Sequence, residues 1–373
     1  MVNWISQARP YDLLKRGISK NPWYVVLYVT SHCNQRCNMC FNWKMLNTLK
    51  RSEEWTLQEI TRIAEQLPDL YQLTLTGGEP TLRQDLAEII EIFYRVTGVR
   101  RVTVATNGSY PDRIEKLVQH VATSCPELVL SINLSIDGIG ADHDEIRGLA
   151  GSFDRLCETW RITRQFGLSN PRINVATASV LTVSNLDKMK QLLDWIAANM
   201  DITSHGVMLA RGDVASDAGC GASEEAFIEI LRHHRAIACS GARLNDVLAD
   251  EYLDSRVRTV EQKRMPSPCR SGDKLIIIDE RANVHPCEIL QVLANEGKTD
   301  ASDLEDFCLG NLRQADFDLG FLLSQPRARA VRQFIRDNRC WCTFECAQIN
   351  NLVLDPLSYL RLFGRLIGIG RSP

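Results

Sequence analysis

An α/β fold is predicted for this 373-residue chain: an open, partial (βα)6 barrel of the TIM type, followed by a small cysteine-rich C-terminal domain. Three observations predict it. Short β-branched runs alternate with longer amphipathic stretches from residue 25 to about 240. Loops bearing cysteine or glycine follow the strands directly, where a parallel barrel carries its functional groups. Beyond about 241 the alternation stops, and Cys269, Cys287, Cys340, Cys342 and Cys346 gather there.

The elements follow in order. "VVLYVT" (25–30) reads as a buried strand, and "TLQEITRIAEQL" (56–67) has apolar residues at helical spacing. "QLTLTGG" (72–78) is strand then turn, and "DLAEIIEIFYRV" (85–96) is helix. "RVTVATNG" (101–108) and "DRIEKLVQHVATS" (112–124) repeat the pair, as do "LVLSINLSIDG" (128–138) and "FDRLCETWRITRQF" (153–166). "RINVATASVLT" (172–182) with "LDKMKQLLDWIAANM" (186–200), and "ITSHGVMLA" (202–210) with "EEAFIEILRHHRAIAC" (224–239), complete six units. Six fall short of the eight in a closed barrel, so the sheet stays open. "RGDVASDAGCGAS" (211–223) reads as a mobile loop at the barrel mouth, and "KLIIIDERANVHPCEIL" (274–290) as a hairpin. The expected organisation is an N-terminal extension (1–23), the barrel (24–240), a linker (241–264), the cysteine-rich domain (265–350) and an amphipathic tail (351–373).

Composition narrows the function. The chain is 45% hydrophobic and 24% charged, with a formal net charge of -3, which gives no electrostatic case for a nucleic-acid partner. No secretory signal opens it, and no apolar run reaches the roughly 18 residues of a spanning helix. A cytoplasmic setting is expected, and there thirteen cysteines suggest metal rather than disulfides. Cys125, Cys157, Cys220, Cys239 and Cys308 are scattered and read as small buried hydrophobes.

"TSHCNQRCNMCFNW" (30–43) puts Cys33, Cys37 and Cys40 on one tight loop. A structural zinc site would use four ligands, and the fourth is missing locally. A cubane iron–sulfur cluster takes one thiolate per iron, so three leave one iron open for a ligand. One strand later comes Gly77-Gly78-Glu79-Pro80. The glycines permit close backbone approach, and Glu79 with exposed carbonyls offers acceptors to a cationic amine. Zinc or chance is the rival reading of the cysteine spacing alone.

These motifs together resemble the radical S-adenosylmethionine (radical SAM) enzymes. Cys33, Cys37 and Cys40 match the family's three-cysteine motif, with Met39 in its hydrophobic position, and residues 77–80 match the motif that holds the methionine amino group. "TNG" (106–108), "SIDG" (135–138) and "HDEIRG" (143–148) stand where many members carry similar words. The resemblance implies a 4Fe–4S cluster whose open iron chelates S-adenosylmethionine. It implies one-electron reduction by a flavodoxin or ferredoxin-type partner, and a 5′-deoxyadenosyl radical that removes a hydrogen atom from substrate. Three more residues are candidates for cofactor contacts. Ser135 either meets the carboxylate or ribose, or satisfies local backbone. Arg147 pairs either with the methionine carboxylate or with Asp144, and Asn107 is either a cofactor contact or simply a turn residue.

The second cysteine group, with "HPCE", "GN" (310–311) and "CWCTFECA", resembles the SPASM domain and its shorter form, twitch. Ala282 departs from the pattern, standing where a glycine is usual. The cysteines suffice for one auxiliary 4Fe–4S cluster. Cys269 and Cys287 look firm, two or more of Cys340, Cys342 and Cys346 must join them, and Cys308 is a spare.

The expected function is an oxidoreductase-type radical enzyme acting on a small-molecule or lipid-like substrate, by oxidation, epimerisation or C–C or C–S bond formation. Modification of a ribosomally made peptide is the rival. The 24 residues before the first expected strand are too few for a leader-binding domain, which weighs against it. An iron–sulfur electron carrier is the non-enzymatic reading, and it leaves Gly77–Pro80 unexplained. In the tail, Arg361 and Arg365 share a helical face. Two readings compete there: a helix docked on the barrel, or peripheral membrane contact with both arginines toward anionic lipid.

Overall fold

The computed structural model describes residues 19–238, 244–297, 299, 304, 306–337 and 339–366. Six parallel strands carry the barrel: β1 (Tyr24–Thr30), β2 (Gln72–Gly77), β3 (Arg101–Thr106), β4 (Val129–Ser135), β5 (Ile173–Leu181) and β6 (His205–Leu209). Helices α1 (Leu57–Glu65), α2 (Leu86–Thr97) and α3 (Pro111–Ser124) form the first crossovers. The next are α4 (Ala141–Arg147) with α5 (Ser152–Ser169), then α6 (Leu186–Asn199), with α7 (Glu224–Ala238) after β6. The later chain adds α8 (Leu244–Gln262), β7 (Leu275–Ile278), β8 (Asn283–His285), α9 (Leu290–Asn295) and β9 (Gly310–Asn311). It closes with α10 (Leu319–Ser324), α11 (Pro326–Arg336), α12 (Glu345–Leu354) and α13 (Pro356–Leu366).

Strand alternation sorts the two faces. Leu73, Leu75, Val104, Leu130, Ile132 and Leu134 are fully buried under the helices. Their neighbours Gln72, Thr74, Thr103, Ser131 and Asn133 point the other way and line a central cavity. The helices present matching apolar faces, such as Ile60, Ile63 and Ala64 on α1. A capping box starts α1: Thr56 Oγ1 accepts from Glu59 N at 3.2 Å, and the Glu59 carboxylate accepts from Thr56 N at 3.0 Å.

The sheet is open and nine-stranded, in the order β6-β5-β4-β3-β2-β1-β7-β8-β9. Six strand–helix units therefore form the partial barrel that the pattern predicts. The hairpin of β7 and β8 is also as expected, but its placement is new. β7 pairs parallel with β1, from Tyr24↔Leu275 to Leu27↔Ile278, so the cysteine-rich region continues the barrel sheet. At the hairpin turn Ala282 has φ 73 and is fully buried. That left-handed conformation is why a glycine suits this position.

Two expectations change, and the tail follows the docked reading of the two. Residues 241–264, expected as a linker, hold the 19-residue helix α8. The 211–223 loop, expected to be mobile, packs on the first cysteine loop. Ser216 N donates to Asn38 O at 3.1 Å, and a Cβ on Gly219 would lie 2.1 Å from that same oxygen. Its small residues serve this close approach. In the tail, α13 turns its arginines inward rather than toward lipid. Arg361 Nε donates to Glu251 at 2.9 Å; Arg365 donates to Glu251 at 2.7 Å and Asp254 at 2.6 Å, and also pairs with Asp250. Glu251 is fully buried, so these carboxylates hold the helix in place. Leu357, Leu360 and Phe363 lie on the exposed side. Gly368 and Gly370 fall outside the described residues. Among the described residues no helix is long and apolar enough to cross a membrane.

Candidate active site

The first cysteine loop leaves the C-terminal end of β1 and is laced to its neighbours by backbone. Gly78 N donates to Thr30 O at 2.8 Å, and Glu79 N to His32 O at 2.7 Å. A Cβ on Gly77, whose φ is +125, would stand 2.4 Å from Thr30 O, and one on Gly78 would stand 2.1 Å from His32 O. Only glycine allows both approaches. From the other side, Arg36 N donates to Arg147 O at 3.2 Å and Asn38 N to Ile146 O at 3.1 Å, fixing the loop to the end of α4.

The thiols of Cys33, Cys37 and Cys40 face one cavity of about 350 Å³, and Met39, Gly77, Gly78, Glu79, Asn107, Ser135 and Arg147 border it too. Burial pushes the Cys33 thiol up to about 12 and the Cys40 thiol up to about 11. Two N–H groups already point at sulfur: Gln35 N at 3.4 Å from Cys33 Sγ, and Arg147 Nη1 at 3.6 Å from Cys37 Sγ. Met39 is buried against Ile146 and Ala210 beneath the loop.

Several of these side chains also have protein partners that the sequence did not show. The Glu79 carboxylate is buried and accepts from Thr81 N at 3.0 Å, Thr81 Oγ1 at 2.5 Å, Thr106 Oγ1 at 2.7 Å and Asn107 N at 2.8 Å. It braces the loop after β3, which leaves backbone carbonyls as the acceptors for an amine. Asn107 Nδ2 donates to Asn34 Oδ1 at 2.8 Å, joining that loop to the cysteine loop. Arg147 does not pair with Asp144. It pairs with Asp137 of the "SIDG" stretch, while Asp144 caps α5 by accepting from Phe153 N at 2.8 Å and Ser152 Oγ at 2.9 Å. Ser135 lines the cavity at the end of β4.

At the other end of the cavity, β7 brings in the second cysteine group. Cys287, Cys340 and Cys342 each lie close enough to Cys269 that its thiolate would raise theirs. Burial and Cys269 push Cys287 up to about 12, and Cys340 and Cys342 shift in the same direction for the same reasons. Four crowded thiols are unfavourable as bare anions, and a bound cation reverses that penalty. Cys346 stands apart. Its neighbours are Glu288, Tyr24 and Glu345, and it lines the cavity while the other four do not. Cys308 is separate again, with its thiol donating to Gly310 O at 3.6 Å.

Sequence reading missed the residues between the two groups. Tyr24 and Tyr28 sit four apart on the inner face of β1. Tyr28 Oη donates to Glu288 Oε1 at 3.0 Å and Tyr24 Oη to Cys346 Sγ at 3.1 Å. Glu288 is half-buried in the cavity wall, and burial raises its pKa. Glu345 is neutralised by Arg256 at 3.0 Å and Arg211 at 3.5 Å. The signal for the tyrosines was their spacing of four in "YVVLYV", which puts both on one face of a strand; for Glu288 it was adjacency to Cys287.

The profile of the radical SAM superfamily matches residues 27–196, spanning β1 through α6 and both motif loops. Residues 27–196 form a radical SAM domain. Among curated relatives, GTP 3′,8-cyclase of Haemophilus influenzae (strain PittGG) is 30% identical over 196 residues, 52% of this chain and 54% of that protein. The Haemophilus ducreyi enzyme of the same name is 28% identical over 182 residues, 46% of this chain and 49% of that protein. The match thus spans about half the length of those relatives. Solved structures share the fold more widely. Streptococcus suis SuiB bound to S-adenosylmethionine superimposes with a TM-score of 0.59 at 17% identity, covering 87% of this chain and 71% of that one. Native anSMEcpe with bound S-adenosylmethionine gives 0.61 at 13% identity, covering 93% and 100%.

A radical SAM domain carries a 4Fe–4S cluster and S-adenosylmethionine. The donor set here fits them: three free thiols on one loop, N–H groups aimed at sulfur, and a glycine pair that borders the cavity beside them. Among the described residues, no three His, Cys, Asp or Glu side chains form a metal-binding group. The fit rests on donor chemistry and placement in the radical SAM domain.

Proposed function

We propose that this protein is a radical SAM enzyme that removes a hydrogen atom from a polar small molecule held in the barrel. An auxiliary 4Fe–4S cluster would pass electrons beside that site. The carrying observation is the shared cavity: the three-thiol loop opens on one end of it, and Glu288 and Cys346 stand on the wall that leads to the second cysteine group.

Cys33, Cys37 and Cys40 would hold the radical cluster, and the Gly77 and Gly78 carbonyls the methionine amine. Arg147 would stand beside Cys37 as a fixed positive charge, and Asn107 would keep the glycine and cysteine loops in register. When bound, the cluster and S-adenosylmethionine supply a carbon-centred oxidant able to take one hydrogen atom. The protein's own task is to exclude water and hold one C–H bond in reach. Cys269, Cys287, Cys340 and Cys342 form the set best suited to the auxiliary cluster. A flavodoxin or ferredoxin-type protein would supply electrons.

Polar side chains set into a largely apolar inner wall support a small substrate that carries hydrogen-bonding groups. Gln72, Thr74, Ser131, Asn133 and Asn174 all face the cavity. The curated relatives are named for a reaction of GTP, itself small and polar. Peptide substrates are the second reading, since solved complexes of SuiB and anSMEcpe contain peptides. Fractionated cell extract tests the choice. The reconstituted enzyme should make more 5′-deoxyadenosine with the polar small-molecule fraction. Stimulation by only the peptide or lipid fraction would overturn the small-molecule reading.

A further inference from the structure

We propose that Cys346 is a hydrogen-atom donor to the substrate radical and not a ligand of the auxiliary cluster. The proposal rests on the radical reading above and deepens it, because it selects inversion of a carbon centre among the reactions such an enzyme performs.

Placement comes first. Cys346 lies in the first turn of α12 and lines the cavity; Cys269, Cys287, Cys340 and Cys342 do not. Tyr24, an inner residue of β1, donates its phenol hydrogen to Cys346 Sγ at 3.1 Å and so fixes the sulfur against the cavity wall. Tyr24 precedes Thr30 by six residues, roughly 20 Å along a strand. The thiol is therefore held near the start of β1, in the same cavity that the three-thiol loop borders at the strand's other end. A carbon radical formed between them has the hydrogen acceptor on one side and Cys346 on the other.

Chemistry comes second. An S–H bond is weaker than an ordinary C–H bond, so a thiol gives its hydrogen atom to a carbon radical readily, whereas a hydroxyl does not. Burial and the neighbouring Glu288 keep Cys346 protonated, the form that carries this hydrogen. Cys346 also follows Cys342 by four residues of chain, so only a short segment separates it from the auxiliary site.

The steps balance. The substrate C–H bond breaks and its hydrogen leaves with 5′-deoxyadenosine. The substrate radical then takes hydrogen from Cys346, forming a new C–H bond on the opposite face and leaving a thiyl radical. One electron from the flavodoxin or ferredoxin-type reductant and one proton from solvent restore the thiol. Each turnover thus consumes two electrons, one for cofactor cleavage and one for thiol repair, plus one proton, and the substrate keeps its formula.

The test uses the reconstituted holoenzyme in D2O with the polar small-molecule fraction of a cell extract. Wild type should place one non-exchangeable deuterium in a recovered metabolite of otherwise unchanged mass. Cys346→Ser keeps an acceptor for Tyr24 but cannot give up a hydrogen atom. It should retain wild-type iron content and still form 5′-deoxyadenosine in a first turnover, while the deuterated metabolite falls at least about tenfold. Loss of about half the iron in Cys346→Ser, as expected for Cys342→Ala, would overturn the proposal by making Cys346 a cluster ligand. So would undiminished deuterium in Cys346→Ser, or a wild-type product lighter by two hydrogens with no deuterium. If wild type forms no 5′-deoxyadenosine at all, the radical reading fails instead.

Discussion

A Cβ built on Gly78 would stand 2.1 Å from the carbonyl oxygen of His32. The glycine loop and the cysteine loop are therefore in backbone contact, and the two motifs share one rigid unit. Gly78→Ala must force them apart. It should destabilise the protein by about 1–3 kcal/mol and weaken S-adenosylmethionine binding at least about tenfold. Denaturant melts and titration calorimetry read both, and an alanine variant that binds the cofactor as wild type does would contradict the contact.

The second cysteine group makes a stoichiometric prediction. Reconstituted wild type should hold about eight irons, from two cubane clusters. Cys342→Ala should keep about half of them and still cleave S-adenosylmethionine under dithionite. A wild-type protein saturated at four irons, with zinc at the second group, would remove the auxiliary cluster from the account.

Beside the cofactor loop, His143 is fully buried, and its Nδ1 accepts from Asp137 N at 3.2 Å. Burial, helped by Arg147, depresses its pKa to about 3. A depressed histidine stabilises the fold above its unfolded pKa of about 6.5, and that stability is lost as pH falls toward 3. Between pH 7 and pH 5 this one group should cost about 2 kcal/mol. His143→Asn should therefore show a shallower pH dependence of unfolding free energy by about that amount. Parallel pH profiles in urea would show that His143 has no such role.

The docked tail is tested at Arg365, whose side chain is only 7% exposed among three carboxylates. Arg365→Ala leaves Glu251 with Arg258 and Arg361 as its remaining partners and should destabilise the protein by about 1–3 kcal/mol. If the arginines instead faced lipid, the same change would spare stability and weaken flotation with anionic liposomes.

Much of the barrel was legible because its signals are local. Each strand–helix unit carries its own periodicity, so β1 to β6 and α1 to α3 fall within a few residues of expectation. The cysteine and glycine motifs were legible for a similar reason, since each is a contiguous loop after a strand. What failed was long-range. Nothing near Tyr24 reports that β7, some 250 residues later, pairs beside it. The Tyr24–Cys346 and Tyr28–Glu288 bonds depend on that pairing. Asp137 was missed as a partner of Arg147 because Asp144 is the nearer acid on α4, whereas Asp137 reaches it only when the chain turns back after β4. The tail arginines were read correctly as one face, but the sequence does not say that α8 offers Asp250, Glu251 and Asp254 to receive it.

The central claim is that Cys33, Cys37 and Cys40 hold a cluster that opens S-adenosylmethionine at the cavity mouth. Anaerobic reconstitution, dithionite and S-adenosylmethionine, with 5′-deoxyadenosine measured by mass spectrometry, test it most directly. Wild type should form 5′-deoxyadenosine, and Cys37→Ala should form none while keeping the iron of the second group. Equal 5′-deoxyadenosine from wild type and Cys37→Ala, or none from a wild-type protein holding both clusters, would contradict it.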